Sequence, residues 1–129
     1  MTKKKNINPT DAELDILRVL WSHGPGTVKE IHEQLPGKPP RGYTTVLKLL
    51  QIMSEKDLVA RDERRRAHVY RACYSIEYTQ RKLLSRLMDK AFDSSAGKLV
   101  VQALSAKPAS REELQEIRRL LDKLEGGKK

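Results

Sequence analysis

Three times along this chain a serine or threonine stands three residues ahead of a glutamate at the head of a helically spaced apolar run. These are Thr10-Asp11-Ala12-Glu13, Thr27-Val28-Lys29-Glu30 and Ser110-Arg111-Glu112-Glu113. In this capping-box pattern the hydroxyl accepts a free amide of the first turn and the glutamate reaches back to the capping residue's own amide, so each occurrence marks a helix start. The first opens a helix with Leu14, Leu17, Leu20 and Trp21 inward. It closes at Gly24-Pro25-Gly26, where glycine frees the backbone and proline cannot continue the ladder. The second is short, with Val28, Ile31 and Leu35 at helical spacing, and stops at Pro36-Gly37-Lys38-Pro39-Pro40.

A third helix begins in Arg41-Gly42-Tyr43-Thr44-Thr45-Val46-Leu47-Lys48-Leu49-Leu50-Gln51 and runs to about Lys56. At about 100° per residue, Val46, Leu49, Leu50 and Met53 share one face, while Arg41, Thr44, Lys48 and Gln51 share the other. Such a stripe suits an ordinary surface helix as well as one that reads DNA. The residues after the helix narrow the choice. Leu58-Val59-Ala60-Arg61 and Ala67-His68-Val69-Tyr70-Arg71 have strand character and are separated by Asp62-Glu63-Arg64-Arg65-Arg66, which makes a hairpin with three arginines at its tip. Three helices and then a hairpin is the order of a winged helix-turn-helix, whose third helix enters the major groove while the hairpin lies along the backbone or minor groove. The expected fold is mainly α with a small β-hairpin.

The charge agrees with that order. The 129 residues carry a formal charge of +9, which favours an anionic partner. Between Pro36 and Arg71 there are nine basic residues and four acidic ones, so the excess centres on the third helix and the hairpin. The Lys3 to Lys5 run reads as a solvated tail within reach of a phosphate backbone.

From Ser75 the pattern is helical throughout. Ile76, Leu83, Leu84, Leu87, Met88 and Ala91 mark one long helix to about Phe92, Leu99 to Leu104 form a short apolar stretch, and Leu114, Ile117, Leu120, Leu121 and Leu124 line a last helix. These segments have little core of their own. Pairing with the same segment of a second subunit would bury the leucines around a two-fold axis; folding back on the winged helix as a monomer is the other solution. The expected organisation is a DNA-binding domain over residues 7–74 and a helical dimerisation domain over residues 75–125, with Gly126-Gly127-Lys128-Lys129 as a frayed tail.

Three stretches carry a family resemblance: Pro9-Thr10-Asp11-Ala12-Glu13-Leu14-Asp15-Ile16-Leu17 with Leu20-Trp21, then Gly42-Tyr43-Thr44-Thr45-Val46, then Arg66-Ala67-His68-Val69-Tyr70. Together they resemble the penicillinase-repressor family of bacterial transcription regulators (BlaI/MecI/CopY type), from about Ile7 to about Leu124. The resemblance implies a homodimeric winged-helix repressor on a palindromic operator with TACA/TGTA-like half-sites. Tyr43, Thr44 and Thr45 would sit at the groove edge with Lys48 beside them, and Arg64, Arg65 and Arg66 would form the wing contact. The physical reading of the residues agrees: threonine can hydrogen-bond a base or phosphate and lay its methyl on a thymine methyl, while Arg41 and Lys48 neutralise phosphates. In the drug-resistance members repression ends when proteolysis in the C-terminal region breaks the dimer, downstream of a membrane-bound sensor protease. Those members carry Asn-Phe at the cleaved bond, whereas the corresponding position here is Gln102-Ala103. The copper-responsive relatives carry a cysteine-rich metal motif that is missing after Cys73.

No catalytic constellation is legible, so the chain is not expected to be an enzyme and no cofactor or metal is expected. His32-Glu33 is followed by Gln34-Leu35-Pro36, which is not the two-histidine helix of a zinc protease, and neither Gly24-Pro25-Gly26 nor Gly126-Gly127 has phosphate-loop spacing. His23 and His32 read as helix-end or surface histidines. His68 reads equally as a DNA-backbone contact or an exposed side chain beside the wing. One cysteine cannot form an intrachain disulfide, and no apolar run approaches a membrane span, so a cytoplasmic protein without membrane insertion is expected. Two other functions stay open: a winged-helix module whose basic face meets an acidic protein, and a repressor released by a small ligand among the C-terminal helices.

Overall fold

The computed structural model describes residues 7–37 and 41–126; the Lys3 to Lys5 run, Lys38-Pro39-Pro40 and Gly127-Lys128-Lys129 lie outside the described residues, while Gly126, expected in the frayed tail, closes the last helix. The elements run in the order α1 (Asp11–His23), α2 (Val28–Gln34), α3 (Tyr43–Glu55), β1 (Val59–Asp62), β2 (Val69–Ala72), α4 (Ile76–Ala91), α5 (Ala96–Ala106) and α6 (Arg111–Gly126). All three capping boxes form. Thr10 and Thr27 exchange both bonds with Glu13 and Glu30, and Ser110 does so with Glu113 at 3.0 Å in each direction.

The chain divides into two compact units, Met1–Arg86 and Leu87–Lys129. In the first, α1, α2, α3 and the hairpin enclose a core that includes Ile16, Leu17, Leu20, Ile31, Val46, Leu50, Met53, Leu58, Val59 and Tyr70. Leu17 and Leu20 are buried as their spacing indicates, but Leu14 and Trp21 are only partly so, and Ile16, Val19 and Glu13 are buried as well. The buried face of α1 is wider than one stripe because α2, α3 and β2 all touch it. The unit also takes in the start of α4: Trp21 Nε1 donates to the Tyr74 carbonyl at 3.0 Å, Thr79 Oγ1 donates to the Ser75 carbonyl at 2.9 Å, and Thr79 is buried.

Helix α3 ends in a closed turn. The Leu58 amide donates to the Met53 carbonyl at 2.9 Å and the Asp57 amide to that of Ser54 at 3.1 Å, with Asp57 in the left-handed region at φ 63°. This is the Schellman arrangement, and the buried Met53 and Leu58 supply its apolar contact. Leu58 is thereby occupied, so β1 starts at Val59 and pairs antiparallel with β2 from Val59 opposite Ala72 to Asp62 opposite Val69. A third, one-residue rung comes from the α1–α2 loop: Gly26 and Tyr70 exchange backbone hydrogen bonds of 3.0 and 2.8 Å. The hairpin is thus fastened to the helical layer through backbone as well as core.

Gly24 caps α1 at φ 83°, ψ −176°, a combination open in practice to glycine alone. Nothing lies within 4 Å of a Cβ built there, so the backbone term acts by itself. Gly24→Ala is expected to lower stability by about 1–3 kcal/mol, read as a drop in the thermal midpoint; an unchanged midpoint would show that the loop re-forms around alanine.

In the second unit, α5 and α6 contain no buried residue. Leu87, Val100, Val101, Leu104, Leu120, Leu121 and Leu124 are all exposed large hydrophobics. Ser95 and Ser110 cap the two helices. The local start signals form helices there, and among the described residues Leu99, Leu114 and Ile117 are partly covered while the other large apolar side chains of α5 and α6 stay exposed.

Candidate nucleic-acid interface

Helix α3 is held from beneath by Val46, Leu50 and Met53, each fully buried, with Leu49 half-buried beside them. Thr44, Thr45, Lys48 and Gln51 therefore project to solvent from a helix that cannot roll. Glu13 pins its C-terminal end: Lys56 Nζ lies 3.0 and 2.9 Å from the two Glu13 carboxylate oxygens. The N-cap is Gly42, which offers no side-chain hydrogen bond, and the first turn contains no acidic residue. The opening amides of α3 thus keep their positive end of the helix dipole unmatched, an arrangement that favours a phosphate oxygen.

Because Gly42 is extended, at φ −71° and ψ 155°, Arg41 lies ahead of α3 and not on its polar stripe, which corrects the placement expected from periodicity. Its Nη1 sits 3.1 Å from Asp15 Oδ2 of α1, and both side chains are about one-third exposed. That Nη1 is enclosed and makes no hydrogen bond of good geometry, so the contact is one of charge only. Tyr43, the first residue of α3, is 50 % exposed. His32, which reads in sequence as a helix-end or surface histidine, is half-buried and contacts both residues. Its Nε2 lies 2.6 Å from the Arg41 carbonyl oxygen and its ring meets that of Tyr43 edge-on, centroids 6.2 Å apart. No sequence signal marks Asp15 or His32 for these roles, because both contacts are made across helices.

At the hairpin, Arg64, Arg65, Arg66 and His68 are exposed, with His68 immediately before β2. Arg64 turns back on Asp62: its Nε donates at 3.0 and 3.3 Å to the two carboxylate oxygens, its Nη2 at 2.8 Å and its backbone amide at 3.0 Å. These bonds hold the Asp62 carboxyl well below the usual carboxylate range. A lowered carboxyl pKa means that the contact is complete at neutral pH and breaks only when pH falls through that lowered value, in strong acid. Arg61 pairs with Glu63 on the same hairpin. The tip therefore presents Arg65 and Arg66 as outward cations with Arg64 folded against the strand end.

Gln102 and Ala103 are exposed in the interior of α5. Their backbone is helical, so a protease would need the helix to open locally before reaching that bond. Cys73 is exposed, yet the atoms crowding its sulfur push the thiol up, which leaves little thiolate at neutral pH. Among the described residues no group of three or more His, Cys, Asp or Glu is placed to hold a metal ion, and no helix is long and apolar enough to cross a membrane.

Transcriptional regulator BlaI of Mycobacterium tuberculosis, in strains CDC 1551 / Oshkosh and ATCC 25618 / H37Rv, is 30% identical to this chain over 118 residues, covering 91% of the chain and 85% of that protein. A solved structure, "CopR Repressor Structure", is 33% identical, with a TM-score of 0.45 over 54% of this chain and 100% of that one. The penicillinase repressor family matches residues 9–123. With that match over nearly its whole length, and with a three-helix and hairpin unit built as described, the chain belongs to the penicillinase repressor family of transcriptional regulators.

Proposed function

We propose that this protein is a homodimeric transcriptional repressor that binds a palindromic double-stranded DNA operator with TACA/TGTA-like half-sites, in the cytoplasm and without a catalytic step. The observation that carries this reading is α3: a helix locked by its apolar face, exposing Thr44, Thr45, Lys48 and Gln51, with no acidic residue in its first turn. Membership of a repressor family supports it independently. In this reading residues 7–74 carry the DNA-binding function and residues 75–125 the dimer. Tyr43, Thr44 and Thr45 lie at the base edges with Lys48 on a neighbouring phosphate, and Arg65 and Arg66 track the backbone from the wing. The uncovered leucines of α4 to α6 supply the two-fold interface. Release by a membrane-bound sensor protease at Gln102–Ala103 belongs to the same reading and requires α5 to open first.

The test is selection of bound sequences from a random duplex pool, with titration of the winner against scrambled DNA over a range of salt. An enriched palindrome is expected. Arg65→Ala with Arg66→Ala should weaken binding to both duplexes and lower the salt slope by roughly 1 for each phosphate no longer neutralised. Thr44→Ala or Thr45→Ala should instead narrow the gap between operator and scrambled DNA. Equal weakening on both duplexes would remove the threonines from base readout, and an unenriched pool would sink the repressor reading.

A further inference from the structure

Two arginines of the basic surface are already occupied by carboxylates of their own chain. Arg41 faces Asp15 across a 3.1 Å charge contact, and Arg64 is forked onto Asp62 through Nε and Nη2. A carboxylate offers a guanidinium two oxygens and one negative charge, the same face that a DNA phosphodiester presents. The Asp62–Arg64 pair is local, two residues apart at the hairpin turn, whereas Asp15 of α1 reaches Arg41 from a distant part of the chain. Both pairs are reachable by solvent: the side chains of Arg41 and Asp15 are 34% and 35% exposed, and those of Arg64 and Asp62 are 89% and 37% exposed. Neither pair is buried as a whole, although the Arg41 Nη1 that meets Asp15 is itself enclosed. Glu13 and Lys56 show the contrast, since there the carboxylate is 2% exposed and saturated at both oxygens.

We propose that Asp15 and Asp62 act as internal phosphate surrogates, holding Arg41 and Arg64 in the free protein and releasing them to the DNA backbone on binding. This rests on the DNA-binding reading and adds to it a setting of strength. Each arginine must give up a carboxylate to gain a phosphate, so its net contribution is a difference between two similar contacts. Affinity for all DNA is thereby kept moderate while the ratio between operator and random sequence, which depends on base edges, is untouched. The Arg41 contact lacks a well-formed hydrogen bond but its nitrogen is enclosed, whereas the Arg64 fork is hydrogen-bonded and open to solvent.

The experiment is a double-mutant cycle on the full-length protein, using a labelled duplex with TACA/TGTA arms in palindromic order and a scrambled duplex of the same composition. Asp15→Asn and Asp62→Asn keep side-chain size and leave the folded state checkable by thermal midpoint. Each is expected to tighten binding to both duplexes by about twofold to fivefold, the range of an exposed ion pair. The salt slope should steepen by up to about 0.9 per released arginine. In an Arg41→Ala background the gain from Asp15→Asn should vanish, and likewise for Asp62→Asn in an Arg64→Ala background. A gain that survives removal of the arginine would show plain repulsion between the carboxylate and DNA and would overturn the proposal. So would unchanged or weaker binding by both asparagine variants, the result expected if the pairs are only structural ties. A wild-type protein that binds neither duplex sinks the repressor reading and this proposal together; wild-type binding with no gain sinks this proposal alone.

Discussion

Replacing Leu120, Leu121 and Leu124 together with aspartate is expected to leave the three-helix and hairpin unit folded, convert the protein to monomers, and reduce affinity for a palindromic operator by roughly a hundred-fold or more. The three side chains are 55%, 52% and 60% exposed in a single copy, and α6 has no buried residue. The change therefore removes little packing inside the described chain. It acts on the proposed interface with a second copy, where an unpaired carboxylate among apolar side chains is strongly unfavourable. The drop in DNA affinity comes from linkage: joined half-site contacts benefit from a high effective concentration that separate subunits lack. Sedimentation and operator titration of the same samples check both halves. A variant that stays dimeric would place the interface elsewhere; a monomer with full operator affinity would remove dimerisation from the mechanism.

Lys56→Met is expected to destabilise the first unit by about 1.5–3 kcal/mol. Glu13 is 2% exposed and accepts Lys56 Nζ at both carboxylate oxygens, while its Oε1 also accepts the Thr10 amide at 2.9 Å. Removing the ammonium leaves a buried carboxylate with one backbone donor. The cost sits below the usual range for a broken buried pair because Lys56 is 43% exposed, so water can reach part of the vacated space. Glu13→Gln should cost less, since an amide oxygen can still cap Thr10 and the freed lysine can extend into solvent. Chemical denaturation of the two variants sets the order. If Glu13→Gln proves the more damaging, the cap governs this corner and the tie to α3 is secondary.

The helices and the hairpin are largely readable from the chain alone. The capping boxes at Thr10, Thr27 and Ser110 predict α1, α2 and α6 because a box is closed by atoms within four consecutive residues and needs no partner from elsewhere. The hairpin is legible for a related reason, as apolar residues flank a charged turn, but both strands shift towards the C-terminus: Leu58 is drawn into the closing turn of α3 and Asp62 joins β1, while β2 starts at Val69 and ends at Ala72. The polar stripe of Thr44, Lys48 and Gln51 is legible from periodicity, since Val46, Leu50 and Met53 leave that face no other direction.

The remaining features depend on which distant residues meet. Glu13 reads as a helix cap and becomes a buried anchor only because the end of α3 arrives beside it. Arg41 reads as a free cation on the helix and is instead ahead of it, facing Asp15, because Gly42 is extended and α1 crosses nearby. His32 reads as a helix-end or surface histidine, and it does stand in the last turn of α2, but its contacts with the Arg41 carbonyl and the Tyr43 ring have no mark in the sequence. Gly26 reads as a helix stop and also carries a rung to Tyr70. By itself the sequence determined the elements, their order and the family, since these rest on short-range hydrogen bonding and on spacing along the chain. The hairpin pairs Arg61–Glu63 and Arg64–Asp62 join residues two apart, but the pairing of Arg41 with Asp15 and of Lys56 with Glu13 was decided only by the tertiary structure, because it depends on distance in space and the chain order carries no trace of it.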